Sequence, residues 1–314
     1  MNKMYFPYVR GRQFELLALR ELTLKKLLSP KVIPVVEPVK LSSTLLKTME
    51  MFVENKKELG IIWNPAVGTF ESDMKSEEND SNREKFLNLL NEPYIIKSHI
   101  MTNDSKKQIE EWKINKDIHE NDLLIICNNR DLIEQYLDIF KKTPPRYVLL
   151  PDEFRRKIRE KKVLFEDKFE KCERNSDYAK NCDEFFSEDH LFYKVEGFEG
   201  FADYSVIGKD YLEAGFAPYA VAIHIVYLAD DESLRIHHFV SDSNEDYQNP
   251  AKKFYEAVEK LSNWVGKSDV QMTAGLTELL QHYEKQTYPG LGSVKKLSLM
   301  HHLELVGRYL DEVK

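Results

Sequence analysis

Short apolar runs that end in polar residues recur along the first half of the chain, and segments with apolar residues at helical spacing separate them. The run at 32–40, VIPVVEPVK, is typical, because a β-branched stretch leads into a carboxylate and an ammonium group. Similar runs occupy residues 4–10, 60–64, 94–99, 122–129 and 146–152. Near-continuous apolar strands that alternate with amphipathic helices are typical of a parallel sheet buried on both faces. The pattern therefore predicts an α/β fold built from repeated strand–helix units.

The alternation becomes less regular in the second half of the chain. The basic stretch 155–171 has apolar residues at spacings that suggest a helix, and its mixed charges favour a solvated helix face over an anion-binding surface. Residues 201–208 predict a seventh strand and residues 219–228 an eighth, with too few residues between them for a full crossover helix. A turn then leads to residues 234–240, which predicts an antiparallel hairpin with the eighth strand.

The number and order of these strands predict a (β/α)8, TIM-barrel-like α/β fold with a late β-hairpin and a C-terminal helical extension. Asn249 and Pro250 mark the start of that extension, because proline is favoured in the first turn of a helix. We expect residues 1–248 to form the barrel-like domain and residues 249–314 to form helices that pack on it. A length of 314 residues is compatible with one large α/β barrel and an appendage.

Composition and charge narrow the class of protein. The apolar fraction of 42% is typical of a soluble globular chain, and no apolar run approaches the roughly 20 residues that cross a bilayer. The first residues lack the features of a secretory signal, and three cysteines are a sparse set for a disulfide framework, so we expect a cytoplasmic location and no membrane. The net charge of −8 makes nucleic acid an unfavourable partner, because binding it requires a basic surface.

Charged residues within the apolar runs are the first candidates for chemistry, because an isolated buried charge is costly. Glu37 and Lys97 each belong either to a structural ion pair or to a site at the carboxyl ends of the strands. His224 is either a hydrogen-bonded core residue or a proton carrier. If the site is catalytic, we predict Glu37 or His224 as the general base, Lys97 with Arg10 as stabilisers of negative charge, and Asp203 as the orienting group.

Polar side chains near the strand ends are candidates for ligand binding. Arg10 and Arg12 flank Gly11 where a strand leads into a helix, a place where backbone amides favour anions, although two surface arginines would give the same sequence. Asn129 or Asp131 is expected instead to cap the following helix. The predicted ligand-binding residues are Arg10, Arg12, Asn64, Asn128, Arg130, Asp152 and His238.

Metal and cofactor motifs have little support in the sequence. Cys172 and Cys182 match no common zinc spacing, and neither HxH nor HExxH occurs. The stretch YPGLGSV lacks the residue order of a phosphate-binding P-loop and reads as a turn. We therefore predict no metal site, and the sequence identifies no cofactor.

Four motifs, in their order along nearly the whole chain, resemble an uncharacterised bacterial family related to the phage beta-protein family. They are YFPYVRGRQFELLAL, VIPVVEPVK, ADYSVIG and KKLSLMHHLEL. The shared pattern consists of Tyr8, Arg10, Glu37, Pro38, Asp203, Tyr204, His301 and His302. The resemblance implies a setting in phage defence or mobile elements, in some cases beside a neighbouring gene for a nuclease-like partner protein. It implies no particular reaction.

Two functions stay open at this point. In the first, the barrel pocket binds an anionic or phosphorylated small molecule, as a sensor or as an enzyme within a defence system. In the second, the strand-end charges form a structural network, and the C-terminal helices dock a partner protein without catalysis. His301 and His302 fit helix packing or such an interface better than catalysis. A direct nuclease is disfavoured, because no carboxylate and lysine set has nuclease spacing.

Overall fold

The computed structural model of the chain describes residues 4–213 and 218–312. These residues divide into two compact units. The first unit comprises Met1–Gln13, Pro30–Glu166 and Asp189–Asp203, and the second comprises Phe14–Ser29, Asp167–Glu188 and Tyr204–Lys314. The outer ends of the two predicted domains, at residues 1–3 and 313–314, lie outside the described residues.

The strands and helices follow the apolar runs of the sequence. In chain order the strands are β1 (Tyr8–Val9), β2 (Val35–Val36), β3 (Leu59–Ile62), β4 (Ile95–Ile100), β5 (Leu124–Ile126), β6 (Tyr147–Leu150), β7 (Lys162–Phe165), β8 (Asp183–Ser187), β9 (Gly200–Ala202), β10 (Ala222–Leu228) and β11 (Leu234–Val240). The α-helices are α1 (Gln13–Leu24), α2 (Ser43–Glu54), α3 (Phe70–Asp73), α4 (Asp80–Leu90), α5 (Ser105–Lys116), α6 (Ile133–Ile139), α7 (Asp189–Phe192), α8 (Pro250–Val265), α9 (Ala274–Glu284) and α10 (Leu291–Glu312).

The sheet of the first unit contains eight parallel strands in the order β1-β2-β3-β4-β5-β6-β7-β9. Backbone bonds also join the two ends of this sheet. Tyr5 forms a parallel bridge with Phe201, and the amides of Phe6 and Tyr8 donate to the carbonyls of Phe201 and Asp203, each at 2.8 Å. The sheet is therefore nearly closed into a barrel with helices between its strands, and the predicted TIM-barrel-like α/β fold is confirmed.

Burial explains why these runs form the sheet. Leu124, Ile125 and Ile126 of β5 are at most 1% exposed, as expected for a parallel strand that is covered on both faces. Helix α2 begins after Ser42, because the Ser42 side chain caps it by accepting a hydrogen bond from the amide of Leu45 at 3.2 Å. Among the described helices, none combines the length and apolar character that a membrane crossing requires.

Two strand assignments from the sequence are wrong. The stretch 155–171 was expected to be helical, but residues 162–165 form β7 between β6 and β9. The three apolar residues of this strand are buried, and Lys162 at its start places its ammonium group 4.7 Å from the centre of the Phe198 ring. The apolar residues of a short buried strand with charged flanks can have spacings that also fit a helix, and this explains the wrong prediction.

The eighth strand of the barrel is also not the one predicted. It is β9, at the start of the stretch expected to be the seventh strand. The stretch 219–228 instead contains β10, which pairs antiparallel with β11, and β11 pairs antiparallel with β8. The predicted hairpin is therefore confirmed, but it belongs to a separate three-stranded sheet. Four of the seven residues of β10 are partly exposed, which fits this position, whereas the barrel strand β5 is buried throughout.

The second unit surrounds the last helix. Helix α10 packs against α9 and β10, and most of its residues are buried, including Leu297, Leu303 and Leu310, each without exposed surface. Lys296 joins it to α1 by an ion pair with Glu21 at 2.7 Å. The C-terminal helices predicted from the sequence are present, and α10 forms the core of its unit.

We expect truncation of the central side chain of α10 to destabilise the protein strongly. Replacing Leu303 by alanine should lower the free energy of unfolding by about 2–5 kcal/mol, because the cavity left behind has no solvent to fill it. Leu24, which is 57% exposed in α1, gives a matched control, and Leu24→Ala should change stability by about 0.5 kcal/mol or less. Equal shifts of the two urea unfolding curves would contradict a buried α10.

Candidate functional site

Glu37 follows β2, has no exposed surface and is surrounded by donors. The Tyr8 hydroxyl donates to its Oε2 at 2.7 Å, and the Arg10 guanidinium forms an ion pair with the same oxygen. The amide of Ala66 donates to Oε1 at 2.8 Å. Both carboxylate oxygens therefore have partners. The cation that neutralises Glu37 is Arg10.

The backbone around Gly11 holds this cluster together. The Glu37 amide donates to the carbonyl of Val9 at 2.8 Å, which extends the pairing of β1 and β2 beyond their last residues. Gly11 has a φ of +64°, and a Cβ atom there would lie 3.0 Å from the Glu37 carbonyl oxygen. Glycine is therefore required between Arg10 and Arg12. Arg12 is half-buried beside it.

Tyr8 also contributes to the position of Arg10. Its ring stacks on Phe165 of β7, with ring centres 5.3 Å apart, and the Arg10 guanidinium carbon lies 5.4 Å from the Tyr8 ring centre. Side chains two positions apart on a strand point to the same face, so Tyr8 and Arg10 reach the same carboxylate. The sequence singled out Tyr8 only through the family resemblance, although this spacing relative to Arg10 was visible.

Asp203 is buried just beyond β9 and accepts a hydrogen bond from the Tyr5 hydroxyl at 2.6 Å. Burial, followed by the negative charge of Asp203, raises the pKa of Tyr5 well above its ordinary value of 10.0. Tyr5 and Tyr8 are three positions apart and therefore face opposite sides of the sheet. Asp203 and Glu37 consequently belong to separate clusters, one on each face of the barrel wall.

Asn64 and Asp152 have local structural partners. The Asn64 amide nitrogen donates to the carbonyl of Ile100 at 2.8 Å, and its oxygen accepts from the amide of Ile100 at 2.9 Å. These two bonds tie the end of β3 to the end of β4. Asp152 accepts from the Arg155 side chain at 2.7 Å. The assigned ligand-binding roles of Asn64 and Asp152 stay predictions.

The residues after β5 are mostly exposed. The Asn129 side chain accepts from the amide of Asp131 at 3.0 Å, which confirms the predicted cap. Asn128 is exposed, and Arg130 lies 3.9 Å from Glu153, with most of its side chain in solvent. These residues are available at the surface but are not organised by buried partners as Arg10 is.

Lys97 is separated from the Glu37 cluster. It lines a cavity of about 310 Å³, which we call the Trp63 cavity, together with residues of α4 and α5 and the segments that follow these helices. The lining residues are Trp63, Leu87, Leu90, Asn91, Lys97, Trp112, Lys116 and Ile118. Burial lowers the pKa of Lys97 from its ordinary value, and the negative charge of Asp122 opposes this effect. Among the described residues, no hydrogen bond or ion pair partner reaches Lys97.

His224 and His238 face each other across the β10–β11 hairpin of the second unit. Their Nδ1 atoms are 2.7 Å apart, and Nε2 of His238 lies 3.1 Å from Oε1 of Glu184 on β8. If the Nε2–H of His238 donates a hydrogen bond to Glu184, then Nδ1 of His238 accepts a hydrogen bond from the Nδ1–H of His224. The orienting carboxylate for this pair is Glu184, which the sequence analysis missed because strand pairing brings it close from 40 residues away.

Burial, followed by the charges of His238 and Lys295, lowers the pKa of His224 to about 3. Burial also lowers the pKa of His238, although Glu184 opposes this. Both rings are therefore neutral near pH 7. Phe169 and Tyr178 pack against His224, with ring centres 5.1 and 4.7 Å away. This environment favours a hydrogen-bonded histidine pair over a group that takes up protons from solvent.

His301 and His302 are buried in α10, as expected for helix packing. Nδ1 of His301 lies 2.8 Å from the Thr273 hydroxyl, and its Nε2 lies 2.6 Å from the carbonyl of Val226. His302 Nδ1 lies 2.6 Å from the hydroxyl of Ser205. Both histidines therefore connect α10 to other parts of the second unit, and neither lies on a surface that a partner protein could contact.

Comparisons with known proteins assign neither a family nor a function to this chain. A scan against protein-family models finds no match, and a search of curated proteins finds no related sequence. Within residues 4–213 and 218–312, no three His, Cys, Asp or Glu side chains are grouped so that they could hold a metal ion.

Loss of the negative charge of Glu37 should destabilise the folded protein. Glu37→Gln leaves Arg10 without its buried counter-ion and should lower the free energy of unfolding by about 3 kcal/mol. Tyr8→Phe removes one hydrogen bond and keeps the ion pair, so we expect a loss of about 1 kcal/mol. Urea unfolding measures both losses. A smaller loss for Glu37→Gln than for Tyr8→Phe would show that the ion pair does not stabilise the barrel end.

Removal of the positive charge of Lys97 should stabilise the folded protein. Since burial lowers the pKa of this ammonium in the folded state, the unfolded chain binds the proton more tightly, and Lys97→Met should raise the stability at pH 7. This gain should shrink as the pH rises through the lowered pKa towards the ordinary value of 10.5, because the parent protein then loses the charge as well.

Urea unfolding of the two proteins at pH 7 and pH 10 measures this difference. Lys113 provides the matched control, because it lies on the exposed side of α5 in an ion pair with Glu120 at 2.8 Å. Lys113→Met should change stability by about 0.5 kcal/mol or less at pH 7. A Lys97→Met protein that is less stable than its parent at pH 7 would contradict an uncompensated charge at this position.

Proposed function

We propose that the carboxyl ends of β1 and β2 form a binding site for an anionic small molecule. In this site Arg10 contacts the ligand and Glu37 holds Arg10 in position. The observation that carries the proposal is the ion pair between Arg10 and a carboxylate with no exposed surface, at the end of the barrel where TIM-barrel sites lie.

The chemistry of the two side chains supports this division of roles. Glu37 approaches the guanidinium from the buried side, while the Arg10 side chain stays 13% exposed and can be reached from solvent. A planar guanidinium matches the geometry of phosphate and carboxylate groups better than an ammonium does. An arginine that is already oriented also loses less conformational entropy when a ligand binds.

Binding is better supported than turnover. A general base must be able to accept a proton from the substrate, but the oxygens of Glu37 already accept from Tyr8, Arg10 and Ala66. His224, the other predicted base, belongs to the antiparallel sheet of the second unit and is a poor base with a pKa of about 3. We therefore propose Glu37 as a positioning residue.

The biological setting of this binding site rests on the family resemblance alone. We propose that the protein acts in a bacterial phage-defence or mobile-element system, where the anionic ligand is a phosphorylated metabolite or a nucleotide. A partner protein from a neighbouring gene would fit that setting. Docking of such a partner through α10 has little support, because that helix is buried within its own unit.

A variant that removes both charges tests the site without leaving one of them buried alone. We expect Arg10→Gln with Glu37→Gln to fold and to weaken phosphate binding by about 10–100-fold, because a charge-assisted hydrogen bond contributes about 1.5–3 kcal/mol. Isothermal titration with inorganic phosphate, preceded by native mass spectrometry of the purified protein, measures this effect.

The control is Arg156→Gln, which removes an exposed arginine. This variant should bind phosphate as the parent does and should retain any anion that purifies with the parent. The double variant should lose both. Equal phosphate affinity for the parent and the double variant would overturn the proposal, as would a parent protein that neither binds phosphate nor carries an anion.

A further inference from the structure

We infer that the Trp63 cavity is a second binding site and that it takes a planar aromatic anion. This inference does not depend on the proposed function, since the cavity lies beside α4 and α5 and contains neither Arg10 nor Glu37. It rests on three features of the cavity: its indole walls, its two ammonium groups, and the lack, among the described residues, of a carboxylate that forms a hydrogen bond or an ion pair with Lys97.

The walls favour a flat apolar ligand. Trp63 and Trp112 meet edge to face, with ring centres 6.1 Å apart, and aliphatic side chains from Leu87 and Leu90 complete the apolar surface. Indole rings bind flat rings by stacking or by edge contacts. The volume of about 310 Å³ lies at the lower end of the range of roughly 300–1,000 Å³ that is usual for small-molecule sites.

The polar groups of the cavity select for negative charge. Lys97 is half-buried without a hydrogen bond or ion pair among the described residues, and the ammonium of Lys116 lies 4.6 Å from the centre of the Trp63 ring. No carboxylate is among the described residues that line the cavity. A buried ammonium without a partner is costly, and a ligand anion beside it would offset that cost.

The position of Lys97 within β4 explains why its side chain lies in the Trp63 cavity. Lys97 is the third residue of β4, where Ile96 and Ser98 point to one face and Lys97 to the other, towards the helices. A structural role would place a carboxylate on α4 or α5 next to it, as Glu120 is placed next to Lys113. The residues that line the cavity with Lys97 are instead tryptophan, leucine, isoleucine, asparagine and lysine, and Asp122 acts on its charge without a hydrogen bond or an ion pair.

The tryptophans themselves provide a direct readout. The chain contains three, and Trp264→Phe leaves only the two in the cavity. In this background we expect saturable energy transfer from indole to 8-anilinonaphthalene-1-sulfonate, an aromatic anion. Adding Lys97→Met should raise the Kd of this probe at least about tenfold, because the cation next to the sulfonate is lost.

A neutral probe of similar shape separates charge recognition from general apolar binding. N-phenyl-1-naphthylamine lacks the sulfonate, and its Kd should be unchanged or lower in the Lys97→Met protein. Lys113→Met is the matched control, because Lys113 lies on α5 outside the cavity lining, and it should leave both constants unchanged. Equilibrium dialysis of the anionic probe against the otherwise unaltered chain repeats the comparison without replacing Trp264.

Three results would overturn the inference. They are an absence of saturable transfer, equal effects of Lys97→Met on the anionic and the neutral probe, and equal effects of Lys97→Met and Lys113→Met on the anionic probe. Loss of folding does not confuse the outcome, because Lys97→Met is expected to be more stable than the parent. None of these results bears on phosphate binding at Arg10, so the two sites are tested separately.

Discussion

The barrel end depends on the neutralisation of one carboxylate. Glu37 has no exposed surface, and a charge in such a place is tolerated only when donors surround it. Tyr8, Arg10 and the amide of Ala66 provide these donors from the first strand and from the segment after β3. The same contacts fix the Arg10 guanidinium at the carboxyl end of β1. The interaction that stabilises this end of the barrel therefore also prepares the cation that we propose as the ligand contact.

Lys97, in the same unit, differs from Glu37 because no donor or acceptor group of the described residues surrounds its charge in the way that Tyr8, Arg10 and Ala66 surround Glu37. It too is a charged residue in an apolar strand, but the residues around it are aromatic and aliphatic, and burial lowers its pKa. One buried charge is thus fully compensated and the other is not. Glu37 therefore fits a positioning role, whereas Lys97 fits direct ligand contact, since a ligand anion beside an ammonium without a hydrogen-bonded carboxylate offsets the cost of its partial burial.

The histidines illustrate how residues with catalytic potential can serve packing. His301 and His302 connect α10 to distant backbone and hydroxyl groups, and His224 pairs with His238 beside Glu184. Burial lowers the pKa of His301 to about 4 and that of His224 to about 3, so both are neutral hydrogen-bonding groups near pH 7. A neutral imidazole offers one donor and one acceptor, which suits it to join two elements in a core.

The sequence by itself determined the fold class, a strand at seven of the eight barrel positions, the late hairpin and the C-terminal helices, because periodicity and apolar runs are local signals. It also marked Glu37 and Lys97 as charges that needed an explanation. Only the tertiary structure decided that β7 and β9 complete the barrel, that Arg10 is the partner of Glu37, and that Lys97 faces α4 and α5. Strand order and the face to which a side chain points depend on pairing between distant residues, and this pairing leaves no periodic signal in the chain.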